Sequence, residues 1–362
     1  MLINIEMTNY ILIDGSYFVF FRYHAILNWF RLSHPDEDFT TADRHPDFRN
    51  KFHKTFVDVF QDIAKRLNIE NPTFIVGKDC PRKDIWRMKY FKSYKGHRVY
   101  EDTFMIGEYF QSAYEHLYYD AGTSGIIEHP QLEADDCIAI LSKKIQELNP
   151  TSKIWIITSD MDYLQLSSPN IQLYNLKFKK LTDSKNSFND PKKDLFCKIV
   201  MGDKSDGIKG VFKKCGIKTA SKYYENPELF KKKLDQENAH EQYAFNRKII
   251  DFNEIPQNFI QEFLESYGFL PINTPIQISS LFQSGKVVLC FCFLSMNVHS
   301  CCHLSYTQSI IFSAVVSLLD KSAVSVSHTI SHNPSLPITN LYDSFSSLGI
   351  EANSISFPVL FL

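Results

Sequence analysis

Three short apolar runs in the first half of the chain each stop at an acid, and helix-patterned segments separate them. Tyr10-Ile11-Leu12-Ile13 ends at Asp14-Gly15, and Thr73-Phe74-Ile75-Val76 leads through Gly77-Lys78 to Asp79. The third, Ile154-Trp155-Ile156-Ile157-Thr158, runs into Ser159-Asp160-Met161-Asp162. Runs this short and this apolar read as strands covered on both faces. Between the first two, Phe52, Phe56, Val59, Phe60 and Ile63 recur at helical spacing, which predicts an amphipathic helix over residues 51–67. Strands alternating with helices predict an α/β domain with a mostly parallel sheet. Such sheets bind ligands beyond the carboxyl ends of their strands. A parallel arrangement therefore carries Asp14, Asp79, Asp160 and Asp162 to one edge.

A fourth acidic stretch, Glu133-Ala134-Asp135-Asp136, stands directly ahead of the apolar helical run Cys137-Ile138-Ala139-Ile140-Leu141. Alone, it is an ordinary helix start, since acids in a first turn complement the helix dipole. Gly202-Asp203-Lys204-Ser205-Asp206-Gly207 adds two more carboxylates and opens a region rich in Gly and Lys. Residues 17–30 and 102–119 read as helices, and 170–175 as a further short strand. Residues 31–48, polar and with two His-Pro pairs, read as a loop, and helices continue over 228–234, 241–252 and 256–267.

Nine carboxylates are thus candidates for one site: Asp14, Asp79, Glu133, Asp135, Asp136, Asp160, Asp162, Asp203 and Asp206. Like charges raise each other's pKa and oppose ionisation, so such a cluster calls for counter-charge. Hard divalent cations with oxygen ligands supply it. Two of them about 4 Å apart can activate a water and stabilise the leaving oxygen of a phosphoryl displacement. Basic tracts flank the acids. Lys78, Arg82, Lys83, Arg87, Lys89, Lys92, Lys95 and Arg98 interleave with Trp86, Tyr90, Phe91 and Tyr94, and nine lysines fall in residues 204–233. An acidic centre between basic tracts suits a polyanionic substrate, with lysines and arginines neutralising phosphates and aromatics stacking on bases.

At these residues the chain resembles the structure-specific 5′ nuclease family: flap endonucleases, the 5′ nuclease domain of bacterial DNA polymerase I, and phage-type 5′→3′ exonucleases. Five blocks in family order carry the resemblance: residues 11–25, residues 79–98 with Trp86-Arg87 and Tyr94-Lys95-Gly96-His97-Arg98, Glu133-Ala134-Asp135-Asp136, Thr158-Ser159-Asp160-Met161-Asp162, and residues 202–220. The resemblance implies a PIN-like, mostly parallel sheet flanked by helices over residues 7–195, with an arch-forming segment near 79–120. It implies a helix–three-turn–helix DNA-binding region over 196–272. Asp14, Asp79, Glu133 and Asp135, with Asp136 nearby, would bind one Mg²⁺ or Mn²⁺, and Asp160, Asp162, Asp203 and Asp206 a second. Asp135 and Asp160 would be central to catalysis. Arg87 and Lys95 would face the scissile phosphate, and Arg98 the substrate strand. Gly207, Gly210, Gly216, Lys218 and Thr219 would grip duplex phosphates, with a monovalent cation in the same element. Where the family Arg usually stands the chain has Phe21, with Arg22 beside it, and Arg22 is taken as the phosphate contact. In the hairpin the usual Asn-Ile-Pro-Gly reads Gly207-Ile208-Lys209-Gly210.

The implied activity is 5′→3′ exonuclease or 5′-flap endonuclease action on DNA in replication or repair, on flaps, 5′ ends and RNA–DNA primer hybrids. The alternatives are a PIN-like ribonuclease and a non-catalytic nucleic-acid-binding relative. Lys plus Arg is 39 against 41 Asp plus Glu, a net charge of -2 that excludes no partner. Eight cysteines without a C-x-x-C pair, and a start without signal-peptide character, predict a reduced intracellular protein of nucleus or cytoplasm. Residues 273–362 form a low-charge, Ser- and Cys-rich extension, left unassigned. Its apolar runs, 287–296 and 310–319, fall short of the 18 or so residues of a membrane span. A monomer is expected, and no sliding-clamp peptide is evident.

Overall fold

The structure, a computed structural model, describes residues 9–96 and 105–269. Arg98 and the extension over 273–362 lie outside the described residues. Five strands, β1 (Asn9–Asp14), β2 (Thr73–Gly77), β3 (Gly125–Ile127), β4 (Lys153–Ile157) and β5 (Ile171–Tyr174), form one sheet in the order β3-β2-β1-β4-β5. Every neighbouring pair is parallel. The chain builds outward from β1 in one direction and then in the other, so the switch point lies between β1 and β4. There the crossover connections part and a crevice opens at the carboxyl ends.

Alternation along each strand divides the core into two layers. Tyr10 and Leu12 of β1 join Ile75 of β2 and Ile154 and Ile156 of β4 beneath α5 (Ala134–Leu148) and α10 (Gln257–Ser266). Ile11 and Ile13 join Val76 and Ile157 on the opposite face, beneath α1 (Gly15–Ser33) and α2 (Pro46–Arg66). Of the predicted α2 stripe, Phe52, Phe56, Phe60 and Ile63 are fully buried and Val59 partly so, and Phe48 joins them. Phe18 of α1 meets Phe56 and Phe60 edge-on, the arrangement that ring quadrupoles favour.

Several elements differ from the sequence reading. Residues 31–48 are largely helical, because α1 runs to Ser33, a 3-10 helix occupies Phe39–Arg44, and α2 begins at Pro46. The helix expected over 102–119 is, among the described residues, α3 (Ile106–Ser112), a π-helical stretch Ala113–Leu117, and the closing turn α4 (Tyr118–Asp120). Strand β3 and helix α6 (Pro191–Met201) were not anticipated. Among the described residues no helix is long and apolar enough to cross a membrane.

Beyond the sheet, α6, α7 (Ile217–Glu225), α8 (Pro227–Glu237) and α9 (His240–Ile250) enclose a smaller core of Cys197, Val200, Val211, Phe212, Ala220 and Leu234. Gly202 ends α6 at φ 70°, ψ -172°, a region open essentially to glycine alone. A Cβ there would lie 2.5 Å from the Lys209 carbonyl group. The chain turns back at once, with Asp203 N donating to Ile208 O (2.9 Å) and Ile208 N to Asp203 O (2.6 Å). Gly202→Ala is therefore expected to cost about 1–3 kcal/mol. A fall in melting temperature of about 5 °C checks it.

Candidate active site at the carboxyl edge of the sheet

The switch-point crevice is an acid-lined cleft of about 250 Å³. Asp14, Asp79, Glu133, Asp135 and Asp160 line it, with Ser16, Tyr17, Phe20, Thr158, Ser159 and Lys95. Each carboxylate is fixed by its element's end. Asp14 caps α1, accepting from Tyr17 N (3.0 Å), and takes a second hydrogen bond from Thr158 Oγ1 beyond β4 (3.2 Å). Asp79 accepts from Ala134 N at the start of α5 (2.8 Å) and from the Ser16 hydroxyl. Asp160 accepts from Asp162 N (2.9 Å). Helices α1 and α5 both direct their N-termini here, which favours anions.

Burial and like charge push Asp14, Asp79 and Asp135 upward. Asp14 is raised to about 7, by burial first and then by Asp79. Asp79 is raised by burial. Asp135 goes well above the usual carboxylate range through burial and the charges of Asp136 and Glu133. Glu133 differs: burial alone would raise it, but Lys95 and Arg87 outweigh that and hold it low. The Lys95 ammonium pairs with Glu133 Oε1, and its backbone sits at φ 53°. An all-oxygen donor set crowded enough to resist ionisation fits hard divalent cations.

A second acidic group, Asp162, Asp203 and Asp206, brings carboxylate oxygens within 4.8 Å of one another. Lys198, on α6, pairs with both Asp162 and Asp203. Burial raises Asp162 to about 6, while at Asp203 Lys198 and Ser205 outweigh burial and hold it low. The Tyr94 hydroxyl lies between the two groups, 3.1 Å from Glu133 Oε2 and 3.2 Å from Asp206 Oδ2. Asp160, expected beside Asp162 in the second set, lines the cleft with the first.

Two of the expected site residues, Arg87 and Asp136, stand behind the cleft lining. Arg87 is 2 % exposed and does not line the cleft. Its guanidinium donates to both oxygens of Asp136 (2.7 Å each), to Glu133 Oε2 (2.9 Å) and to the Ile249 carbonyl (2.8 Å). A basic residue beside Trp86 looks solvated in sequence, but this one is sequestered by carboxylates about fifty residues away. Asp136 has no exposure; its Oδ2 also accepts from Trp86 Nε1 (2.9 Å) and from Glu133 N, closing a capping box on α5. These bonds let Asp136 hold Arg87 and the helix start in place, while its carboxylate still lies within 4.8 Å of ligand atoms of Glu133 and Asp135, a group able to hold a metal.

Other residues are also placed differently. Arg22 is 9 % exposed and donates to Thr55 Oγ1 (2.7 Å), its Nε buried without a partner. Tyr94 is buried, Phe91 packs on Phe245, and Tyr90 stays 47 % exposed. In the second region Lys218 and Thr219 are exposed in the first turn of α7, which Gly216 caps. Gly207 has φ 78°, and a Cβ on Gly210 would meet Met201 O at 2.8 Å. Ser16, Thr158 and Lys198 carry no site role in the sequence reading. Their one signal is position, beside a strand-end acid or one helical turn before Asp203.

Comparison with known proteins agrees with this architecture. The family model for the 5′-3′ exonuclease N-terminal resolvase-like domain matches residues 9–193. The chain is 27 % identical over 229 residues to a ribonuclease H of Enterobacteria phage T4, covering 57 % of this chain and 73 % of that protein. It is 29 % identical over 217 residues to a 5′-3′ exonuclease of Buchnera aphidicola, covering 58 % and 68 %. Among solved structures, the bacteriophage T5 5′-exonuclease with bound zinc shares the fold at a TM-score of 0.51 and 18 % identity, over 72 % of this chain and 98 % of that one. The T5 flap endonuclease in a pseudo-enzyme–product complex with DNA and metal ions gives 0.51 at 19 %, over 72 % and 97 %. With the family model spanning the sheet and every acid-bearing strand end up to Asp162, this chain belongs to the 5′-3′ exonuclease family.

Proposed function

We propose that this protein is a divalent-metal-dependent 5′→3′ exonuclease and 5′-flap endonuclease that hydrolyses DNA phosphodiester bonds in replication or repair. The observation that carries the reading is the convergence of Asp14, Asp79, Glu133, Asp135 and Asp160 in one cleft at the switch point of the sheet. Asp14, Asp79, Glu133 and Asp135 would hold one Mg²⁺ or Mn²⁺, and Asp160 with Asp162, Asp203 and Asp206 a second, partly through water. Such a pair, when bound, supplies an activated water and charge stabilisation at the leaving oxygen.

The chain's own groups do the rest. Lys95, held by Glu133, puts an ammonium among the carboxylates, where it neutralises the phosphate being cut. Tyr94 and Lys198 fix the carboxylates of the second group. Gly207, Gly210, Gly216, Lys218 and Thr219 offer main-chain and cationic contacts to a duplex backbone, sequence-independent and therefore salt-sensitive.

A gel comparing labelled 5′-flap, nicked and blunt DNA duplexes tests the reading. With Mg²⁺ the flap is expected to be cut, and EDTA to stop cutting. Metal-independent cutting would overturn the proposal, and binding without cutting would favour the non-catalytic alternative. The likeness to a protein named ribonuclease H favours RNA–DNA primer hybrids as a further substrate. A 5′-labelled RNA primer on a DNA template, run beside a matched all-RNA flap, separates that reading from a general ribonuclease.

A further inference from the structure

Away from the acid cleft, the junction of α1 and α2 gathers His34, His45 and Asp47, with one ligand atom of each within 4.8 Å of the others. We propose that these three side chains form a transition-metal site of the zinc type, which clips the end of α1 to the start of α2. His34 is the C-cap residue of α1 and His45 the N-cap residue of α2. The metal would thus close the ten-residue connection 35–44 that the sequence marks with His34-Pro35 and His45-Pro46.

Hydrogen-bond accounting supports a cation here. The Ser33 hydroxyl donates to Trp29 O (3.0 Å), which uses its one proton. In the tautomer that matches this placement of the hydroxyl proton, His34 Nδ1, 2.8 Å from Ser33 Oγ, donates in that contact. In the neutral ring, His34 Nε2 therefore presents a lone pair to Asp47 Oδ2 at 3.2 Å. In that tautomer the two facing acceptors call for a cation between them. Their separation is close to the edge of about 3.3 Å in a tetrahedron with bonds near 2.0 Å.

A proton satisfies two groups; the third donor argues for a metal. His45 Nδ1 accepts from Asp47 N at 3.1 Å, the N-cap bond of α2, which binding would exchange for a bond to the ion. The first ligand is already oriented: Ser33 Oγ contacts its Nδ1, and Phe30 stacks on its ring at 4.3 Å and 7°. That is the support that metal-bound imidazoles generally have. Two imidazoles and one carboxylate select Zn²⁺, Co²⁺ or Ni²⁺ over Mg²⁺. Asp47, 58 % exposed, leaves the fourth position to solvent.

The clip would stiffen more than a loop. The connection carries the 3-10 helix Phe39–Arg44, whose buried Asp43 accepts from Tyr23 OH (2.6 Å) and Met105 N, while its carbonyl accepts from Tyr109 OH. Holding α1 to α2 thereby steadies the point where α3 begins.

The test uses the full chain in excess Mg²⁺, titrated with Zn²⁺ alone by calorimetry and with Co²⁺ by visible absorption. Wild type is expected to take up one more equivalent of Zn²⁺ than His34→Gln or Asp47→Asn, or to bind it at least a hundredfold more tightly. Its melting temperature should rise by a few degrees with Zn²⁺, and the variants' should not. The extra Co²⁺ should show d–d bands without thiolate charge transfer, which separates this site from cysteine ligation. His45→Asn keeps a good N-cap and should lose the same equivalent, which guards against misfolding of the other variants. Equal Zn²⁺ uptake and equal melting shifts in wild type and all three variants would overturn the proposal, as would absence of Zn²⁺ binding to wild type.

Discussion

Asp135→Asn is expected to lower Mg²⁺-dependent cleavage of a 5′-flap substrate by about a thousandfold, the upper end of what one preorganised charged group contributes, and to raise the melting temperature of the metal-free protein. The opposite signs share one cause. Asp135 is half-buried beside Asp136 and Glu133, so its charge destabilises the fold until a cation arrives. Removing that charge relieves the fold and disables the site. The pH dependence follows the same logic. Asp14 is raised to about 7 and Asp162 to about 6 in the folded chain. A carboxyl whose folded pKa lies above its unfolded value binds more protons when folded, so stability falls as pH rises through the interval between them. Metal-free wild type should therefore gain stability on acidification from pH 8 to 5. Glu133 and Asp203 are held low and act below that window. Mg²⁺, replacing the protons, should flatten the profile and raise the melting temperature most at pH 8. Thermal melts with EDTA and with Mg²⁺, at pH 5 and pH 8, check all of this. An unchanged metal-free melt together with full activity in Asp135→Asn would remove Asp135 from the site.

What the sequence displayed and what it concealed follow from the range of the forces involved. Strands β1, β2 and β4 were legible because each is a short apolar run buried on both faces and punctuated by acid. The three residues of β3 were not, since Gly125–Ile127 owes its pairing to the neighbouring β2. Helix α6 begins Pro191-Lys192-Lys193-Asp194, too polar to carry a periodic signal, and is held by Cys197, Ile199 and Val200 on its inner face. In the site, the strand-end rule brought Asp14, Asp79 and Asp160 together without help from distant contacts. Asp136 could not be told from Asp135 in that way. Which of two adjacent acids faces the cleft depends on Trp86 and Arg87, about fifty residues earlier in the chain. His34 and His45 were legible as loop punctuation, yet their proximity to Asp47 depends on how α1 and α2 pack.

Arg87→Met should be lost as a folded protein before it is lost as a catalyst. Burial opposes the guanidinium charge, but Asp136 and the other carboxylates around it outweigh that and keep it ionised. Its ring partner Trp86 lies 4.7 Å away, and its Nε closes onto α9 through Ile249 O. Without it, Asp136 and Glu133 remain buried with fewer partners, a defect that costs about 3–5 kcal/mol. In a domain of this size that lowers the melting temperature by about 10 °C. Asp136→Asn should be destabilising for the same reason, and the double variant less so than the sum, because the second change removes the charge that the first stranded. A coupling of about 2 kcal/mol in that cycle would mark the pair as structural. A phosphate contact predicts otherwise: near-normal melting, a large loss of kcat, and no coupling to Asp136. Measured together on a 5′-flap substrate, melting temperature and kcat decide whether Arg87 serves the fold or the scissile phosphate.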